Sequence, residues 1–229
     1  MSYLPRHIGF IMDGNGRWAR QRGESRAKGH SAGIKTVDIV IDLALKYKIS
    51  CISLFVFSTE NWARPEDEIK TLFKYARDYL KKSSIFIKKG ICVKVSGSRN
   101  KIPQDLLEAI DKIQKNTASC KNLVLNLCIN YGGKDEIISA VNDVLLCRSE
   151  PINEEEFRKY LFHPELPDLD LIVRTSGELR LSNFMLFQSA YAELYFTNLF
   201  WPDFGEEEFC KMLESFEKRT RKFGDIESK

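Results

Sequence analysis

An aspartate closes one apolar run of the sequence. Behind it come Gly14-Asn15-Gly16, then Arg17, Arg20, Arg22, Arg26 and Lys28, with His30 ending the segment. Glycines let backbone N–H groups come close to a phosphate, and Arg forks bind phosphate oxygens in pairs. A lone carboxylate beside phosphates calls for Mg2+ between the two like charges. The segment therefore reads as a diphosphate pocket with Asp13 as its metal-binding carboxylate. Three other readings are weighed against it. G-N-G-R-W-A also fits the dinucleotide fingerprint G-x-G-x-x-[GA]. However, Gly23-Glu24-Ser25 interrupt the helix that should open there, and Ser58-Thr59 rather than an acid come after the second apolar run. A D-x-D phosphatase needs a second aspartate where Asn15 stands. A plain solvated basic face does not explain an aspartate at a strand tip followed by Gly-x-Gly.

Two further clusters carry polar chemistry. Ser58-Thr59-Glu60-Asn61-Trp62-Ala63-Arg64-Pro65 mixes hydrogen-bonding groups, a large apolar face and a charge, which suits a substrate polar at one end and apolar at the other. It also reads as a turn with Pro65 opening a helix whose first turn is acidic. Arg174 ends another apolar run, and Arg180 and Ser182 come soon after it, a second phosphate cradle. Ion pairing of Arg174 with Asp168 or Asp170 is the competing reading. Glu193, in an aromatic stretch, is either a second metal carboxylate or the partner of a neighbouring cation.

These residues need a scaffold, and the apolar patterning supplies one. Short apolar runs at His7–Met12, Cys51–Phe57, Ile91–Val95, Leu123–Ile129, Leu169–Val173 and Leu194–Thr197 read as strands. Between them lie helical repeats: Val37, Val40, Ile41, Ala44, Leu45; Ile69, Leu72, Phe73, Ala76, Tyr79, Leu80, with Gly90 as a stop; Leu106, Leu107, Ile110, Ile113 after Pro103; Ile137, Ile138, Val141, Val144, Leu145 after Gly132-Gly133; and Phe209, Met212, Leu213, Phe216. Strand–helix alternation implies an α/β fold with a largely parallel sheet of about six strands and helices on both faces. Strands apolar on both sides fit a doubly covered sheet. Ligands bind such sheets at the carboxyl ends of strands, which is where Asp13, Ser58 and Arg174 fall. The stripes at 37–45 and 69–80 either line an apolar tunnel against the sheet or are simply core.

Composition excludes much else. The 229 residues carry a net charge of +3 and 43% hydrophobic residues, too mild a charge to argue for nucleic acid and too apolar for disorder. The length suits a single domain over 1–229. The six cysteines form no C-x-x-C pair, so zinc-ribbon and thioredoxin readings fail. No apolar h-region comes after Met1 and no run approaches a membrane span, so a reduced, cytoplasmic protein is expected.

Taken together, D-G-N-G-R-W-A, G-H-S-A-G, F-S-T-E-N-W-A-R-P, R-T-S-G-E-L-R-L-S-N-F, Y-A-E-L-Y-F and W-P-D-F, in this order and over nearly the whole chain, resemble the cis-prenyltransferases, the undecaprenyl diphosphate synthase family. The resemblance implies a Mg2+-dependent homodimer that extends farnesyl diphosphate with isopentenyl diphosphate, forming a cis double bond at each step. Carried over by position, it makes Asp13 the essential carboxylate, and Gly14, Asn15, Gly16, Arg17, Arg26 and His30 the holders of the allylic diphosphate. Trp18 and Trp62 would line the site. Ser58, Thr59 and Glu60 would contact substrate, Asn61 would accept the proton or help it leave, and Arg64 would lie in a mobile loop. Arg174, Arg180, Leu181 and Ser182 would bind isopentenyl diphosphate, and Glu193 would be the second metal contact. Ser176 stands where many members carry Gly, and Leu179 where some carry a His near the metal, so water is expected to replace that ligand. Arg219, Arg221 and Lys222 would reach a neighbouring subunit's phosphates, or simply complement a helix C-terminus. The product implied is a carrier-lipid precursor for cell-wall sugars, so peripheral contact with the inner membrane face is expected. Three rival functions remain: a non-catalytic partner subunit on the same fold, an NAD(P)-dependent oxidoreductase, and a nucleic-acid module. The first could dispense with Asp13 and the arginines, which this chain keeps.

Overall fold

The computed structural model describes residues 4–219. Arg221 and Lys222 lie outside the described residues. Six strands form one sheet: β1 (His7–Ile11), β2 (Cys51–Ser58), β3 (Ile91–Ser96), β4 (Leu123–Tyr131), β5 (Leu171–Arg174) and β6 (Glu193–Phe196). Their spatial order is β3-β4-β2-β1-β5-β6, and every neighbouring pair is parallel. Each strand agrees with its apolar run to within two residues at either end.

The helices are α1 (Asn15–Gln21), α2 (Arg26–Lys46), α3 (Glu66–Leu80), α4 (Ser83–Lys89), α5 (Gln104–Thr117), α6 (Gly133–Cys147), α7 (Glu154–Arg158) and α8 (Glu206–Glu217). The basic segment after Asp13 thus forms α1 and the start of α2. Gly23 turns the chain at φ 67°, and the Ser25 side chain caps α2 by accepting the Lys28 N–H. The stretch from Ile69 to Gly90 is likewise split at Lys81-Lys82, with Gly90 ending α4 at φ 70°.

The strands' alternate faces bury different partners. Ile8, Phe10, Ile52, Leu54, Leu125, Leu127, Leu171 and Val173 join the large core under α2, α3, α5 and α8. On the other face Ile11, Cys128, Tyr131 and Ile172 pack against Leu169, Phe184 and Met185. That face is covered largely by irregular chain, and its buried anchor is Glu136 of α6. Glu136 accepts hydrogen bonds from the Tyr131 hydroxyl, the Gln188 amide and the Phe162 N–H.

Two expectations need correction. The strands are not apolar throughout. His7 Nδ1 donates to the Pro167 carbonyl at 2.7 Å, so its Nε2 accepts from Ser53 Oγ at 2.8 Å. Asn126 Nδ2 donates to the same Oγ at 3.0 Å, and Ser96 Oγ donates to Asn126 Oδ1 at 2.9 Å. This string crosses β1, β2, β4 and β3 in full burial, which is tolerable because its polar groups are paired. Burial also pushes the His7 imidazole down to about 4, so it is neutral. The apolar stripe of α6 is the second correction: Ile138, Val141 and Leu145 are 60%, 39% and 71% exposed.

Candidate active site

The carboxyl ends of β1, β2 and β5 converge on one cleft. Beyond β1, the Asp13 backbone is held on both sides, its carbonyl accepting from Thr175 Oγ1 at 2.7 Å and from the Trp201 N–H at 3.0 Å. Its carboxylate faces Arg174, whose Nε and Nη2 donate to Oδ2 at 2.9 and 2.7 Å. Arg174 Nη1 donates to the Arg180 carbonyl and, at 2.7 Å, to Ser182 Oγ. Four of the five guanidinium donors are thus engaged, and the residue is 3% exposed. Its partner is Asp13, not Asp168 or Asp170. Those acids serve elsewhere, Asp168 pairing with Arg158 and Asp170 with Arg6.

Two carboxylates gather the remaining arginines. Glu178 pairs with Arg17 at 3.1 Å and Arg180 at 2.6 Å. Glu68 pairs with Arg26 at 3.1 Å and Arg64 at 2.9 Å, with His30 Nε2 3.9 Å away. Burial pushes the His30 imidazole below its ordinary value, helped by Arg26 and Arg64 and opposed by Glu68. Buried polar atoms without a hydrogen-bond partner are concentrated here: Asn15 Oδ1, His30 Nε2 and Ser176 Oγ. Such atoms lose hydration without compensation unless a ligand supplies it.

Local backbone obeys the same demand for closeness. Gly14 sits at φ 105°, and a Cβ there would stand 2.1 Å from Ser176 Oγ. Gly33 lets α2 pass against the Asn15 side chain, whose Oδ1 a Cβ would meet at 2.3 Å. Ser176, Gly177, Ser182, Asn183 and Met185 all have positive φ, a concentration of backbone strain at the tip of β5 of the kind functional loops hold.

A cavity of about 580 Å3 opens at these groups. It is lined near its mouth by Asp13, Asn15, His30, Ser58, Glu60, Asn61, Arg64, Arg174 and Ser182. Deeper in, its walls are apolar: Ile34 and Val37 of α2, Leu72, Ala76 and Tyr79 of α3, and Leu54, Leu127 and Ile129 of the sheet. A second cleft of about 400 Å3 shares Met12, Asp13, Asn15, His30 and Arg64 and adds Gly14, Gly16, Arg17, Arg20, Glu24 and Arg26. The helical stripes therefore divide. Val37, Leu72, Ala76 and Tyr79 line the cavity, whereas Val40, Ile41, Ala44, Ile69, Phe73 and Leu80 lie in the core. An anionic group at the mouth with an apolar tail behind it is what this shape can hold.

Several expected site residues turn elsewhere. Trp18 Nε1 donates to Asp203 at 2.6 Å, and its ring lies under the Arg22 guanidinium, 4.3 Å away. Trp62 packs against Phe57 and Phe73, and its Nε1 donates to Asn130 Oδ1 at 2.7 Å. Neither lines the cavity, because each indole N–H finds a partner away from it. Thr59 Oγ1 donates to Asp135 at 3.0 Å, and Leu181 packs into the smaller core. Asn61 Oδ1 accepts the Ser58 N–H at 3.2 Å, so this amide shapes its own turn. Burial raises the Glu60 carboxyl, but hydrogen bonds, led by that of Asn183, outweigh it and hold the group below the usual range.

Glu193 is not brought to Asp13. It opens β6, opposite Leu171 and three residues below the strand end that pairs with Arg174, and its carboxylate accepts from Arg219 at 2.6 Å. Among the described residues no three His, Cys, Asp or Glu gather as a metal cage. Leu179 is exposed on the β5 loop. Sequence reasoning missed Glu68, Glu178 and Asn183. Glu178 and Asn183 lie inside the β5 motif, whereas Glu68 reads only as part of the acidic first turn of α3.

Known proteins resemble this chain in sequence and in fold. A family model described as "Putative undecaprenyl diphosphate synthase" matches residues 11–224. An isoprenyl transferase of Leptospira interrogans is 45% identical, covering 98% of this chain and 97% of its own. A ditrans,polycis-undecaprenyl-diphosphate synthase of Legionella pneumophila, specific for (2E,6E)-farnesyl diphosphate, is 44% identical, covering 97% of each. The crystal structure of lavandulyl diphosphate synthase from Lavandula x intermedia, in complex with dimethylallyl diphosphate, superposes with a TM-score of 0.93. It shares 30% identity and covers 97% of this chain and 99% of that one.

Proposed function

The chain belongs to the undecaprenyl diphosphate synthase family of prenyltransferases, and from that premise we propose that it condenses isopentenyl diphosphate onto farnesyl diphosphate, repeatedly and in cis. The observation that carries this reading is the cavity itself, with an Asp–Arg mouth and apolar walls in one continuous space. The allylic diphosphate sits over Gly14–Arg17, Arg26 and His30, where His30 Nε2 has no hydrogen-bond partner and, in its Nε2–H tautomer, can donate to a phosphate oxygen. Its prenyl chain runs down between α2 and α3. Isopentenyl diphosphate takes Arg174, Arg180 and Ser182, the arginines exchanging their carboxylate partners for phosphate.

In the reaction the allylic C–O bond breaks and diphosphate leaves with the electron pair. The terminal alkene carbon of isopentenyl diphosphate forms the new C–C bond to the allylic carbon, and loss of a proton from the adjacent carbon sets the new double bond. The arginines stabilise the charge on the leaving diphosphate, and the two cradles hold the reacting carbons side by side. The proton goes to a diphosphate oxygen, because the Asn61 amide has no basic group and its oxygen is occupied. Asn61 is then a positioning residue for the Ser58–Glu60 turn.

A single partly exposed carboxylate beside phosphate-binding arginines fits Mg2+, which typically takes one or two carboxylates plus substrate phosphates and water. Asp13 would hold that ion, whose charge when bound weakens the bond to the leaving diphosphate. Homodimer formation is proposed from the exposed stripe Ile138, Val141, Leu145 on α6, since an unpartnered apolar face marks an interaction site. Among the described residues no helix is long and apolar enough to cross a membrane. An apolar product nevertheless implies delivery at a membrane surface, as a carrier-lipid precursor for cell-wall sugars.

The test is the product. Proton NMR of material made from farnesyl and isopentenyl diphosphates should show newly formed cis double bonds added to the two trans bonds of the primer. Newly formed trans bonds would overturn the reading.

A further inference from the structure

The cavity's deep end has its own closure. α2 and α3 both run away from the mouth, and along them the last lining residues are Val37 and Tyr79. On the sheet side the walls descend from Ser58 to Leu54, four strand residues or about 13 Å. Tyr79 spans from α3 to α2, its hydroxyl donating to Asp38 Oδ1 at 2.9 Å. Asp38 Oδ2 accepts from Lys82 Nζ at 2.9 Å. The same ammonium stands 4.4 Å from the Tyr79 ring centroid, and Phe86 of α4 backs the ring at 5.7 Å. Three side chains thus hold one another. A second rung lies nearer the mouth, where the Tyr75 hydroxyl donates to the Ala27 carbonyl at 3.4 Å.

We propose that Tyr79, pinned by Asp38 and Lys82, is the stop that sets the longest apolar chain the cavity admits. This rests on the transferase reading for the identity of that chain, but not for its existence. An aromatic ring held by a charge-assisted bond is a firmer end wall than an apolar side chain of equal size, because moving it also breaks two polar contacts. Asp38 acts through Tyr79 and is a positioning residue. A chain shorter than the stop gains from each added methylene, and a longer one must bend back or displace the ring.

The experiment is titration calorimetry with n-alkyl diphosphates of increasing length against the full chain. Below the stop each methylene should tighten binding about fourfold, and beyond it the gain should cease. In Tyr79→Ala the break should move to longer chains, and in Tyr79→Trp to shorter ones. A merely destabilised protein would not give these opposite shifts. Asp38→Ala should lengthen the break although Asp38 does not line the cavity, and Asp38→Asn, which keeps the acceptor, should restore it. A break that stays fixed in both Tyr79 variants, or moves the same way in both, overturns the proposal. So does wild-type binding that never levels off. Product lengths from farnesyl and isopentenyl diphosphates should shift in parallel. A wild type that shows the break but transfers no prenyl group upholds the stop and overturns the transferase reading.

Discussion

Asp13→Asn separates the two duties assigned to Asp13. Without a divalent cation the carboxylate occupies two of Arg174's donors, at 2.9 and 2.7 Å. A charge-assisted hydrogen bond of this kind contributes about 1.5–3 kcal/mol. The Asp13 side chain is 37% exposed, so solvent screening reduces the pair to about 1–2 kcal/mol. An incoming diphosphate must overcome that pairing and the carboxylate's repulsion. Asparagine keeps an acceptor but removes the charge. Inorganic diphosphate in EDTA should therefore bind Asp13→Asn about tenfold tighter than wild type, since about 1.4 kcal/mol is a factor of ten. Turnover with Mg2+ should fall by roughly 10^3, the scale of losing one electrostatic stabiliser of the transition state. Calorimetry at fixed ionic strength reads the first effect, and a discharge assay the second. Equal or weaker diphosphate binding in EDTA would refute the competition between Asp13 and phosphate for Arg174.

The same contacts have other consequences. His7 is held near 4 by burial against 6.5 when unfolded, so the unfolded chain takes up its proton first as pH falls. Stability should be full above about 6.5 and should decline by about 3 kcal/mol towards pH 4. Urea melts of His7→Gln should lack that part of the decline, and parallel curves would contradict it. Ser176 is a non-glycine residue at φ 76° with an orphaned hydroxyl. Ser176→Gly should stabilise by about 1 kcal/mol, raising the melting temperature by about 2–4 °C, and an unchanged melt would deny the strain. Trp62→Phe should cost about 1–3 kcal/mol by leaving Asn130 Oδ1 unpaired, with KM for both substrates unmoved. A raised KM would return Trp62 to the site. If the proposed dimer forms through α6, Leu145→Glu should shift sedimentation from dimer to monomer, and a monomeric wild type or an unaltered sedimentation coefficient would overturn that proposal.

The strands and most helices were legible because burial on both sides of a parallel sheet leaves short, mostly apolar runs, although the buried His7, Ser53, Asn126 and Ser96 belong to four of those strands. The split of the Asp13–His30 segment into α1 and α2 was not, since Gly23-Glu24-Ser25 reads as a break without showing that Ser25 caps a second helix. The mouth of the site was legible because phosphate chemistry needs Arg, Gly and carboxylate in plain view. What the ligand-free arginines do was not. Glu68 and Glu178 each have one partner close in sequence, Arg64 and Arg180, but the other, Arg26 and Arg17, lies far away, and nothing in E-D-E or G-E-L says that one acid holds two guanidiniums. Trp18 and Trp62 misled for a related reason. An indole beside a motif looks like a wall, but its N–H must be satisfied, and Asp203 and Asn130 satisfy it away from the cavity. The tunnel was half legible. Helical periodicity shows which residues face inward, and only packing shows which of those meet other side chains and which meet empty space.

The central claim is prenyl transfer at the Asp13–Arg174 mouth. Its most direct test is incorporation of radiolabelled isopentenyl diphosphate into butanol-extractable product with farnesyl diphosphate as primer, for wild type and Asp13→Ala, in Mg2+ and in EDTA. Labelled long-chain polyprenyl diphosphate from wild type in Mg2+ alone is the expected result. No labelled product from wild type in Mg2+ and detergent, or equal product from Asp13→Ala, would contradict the account.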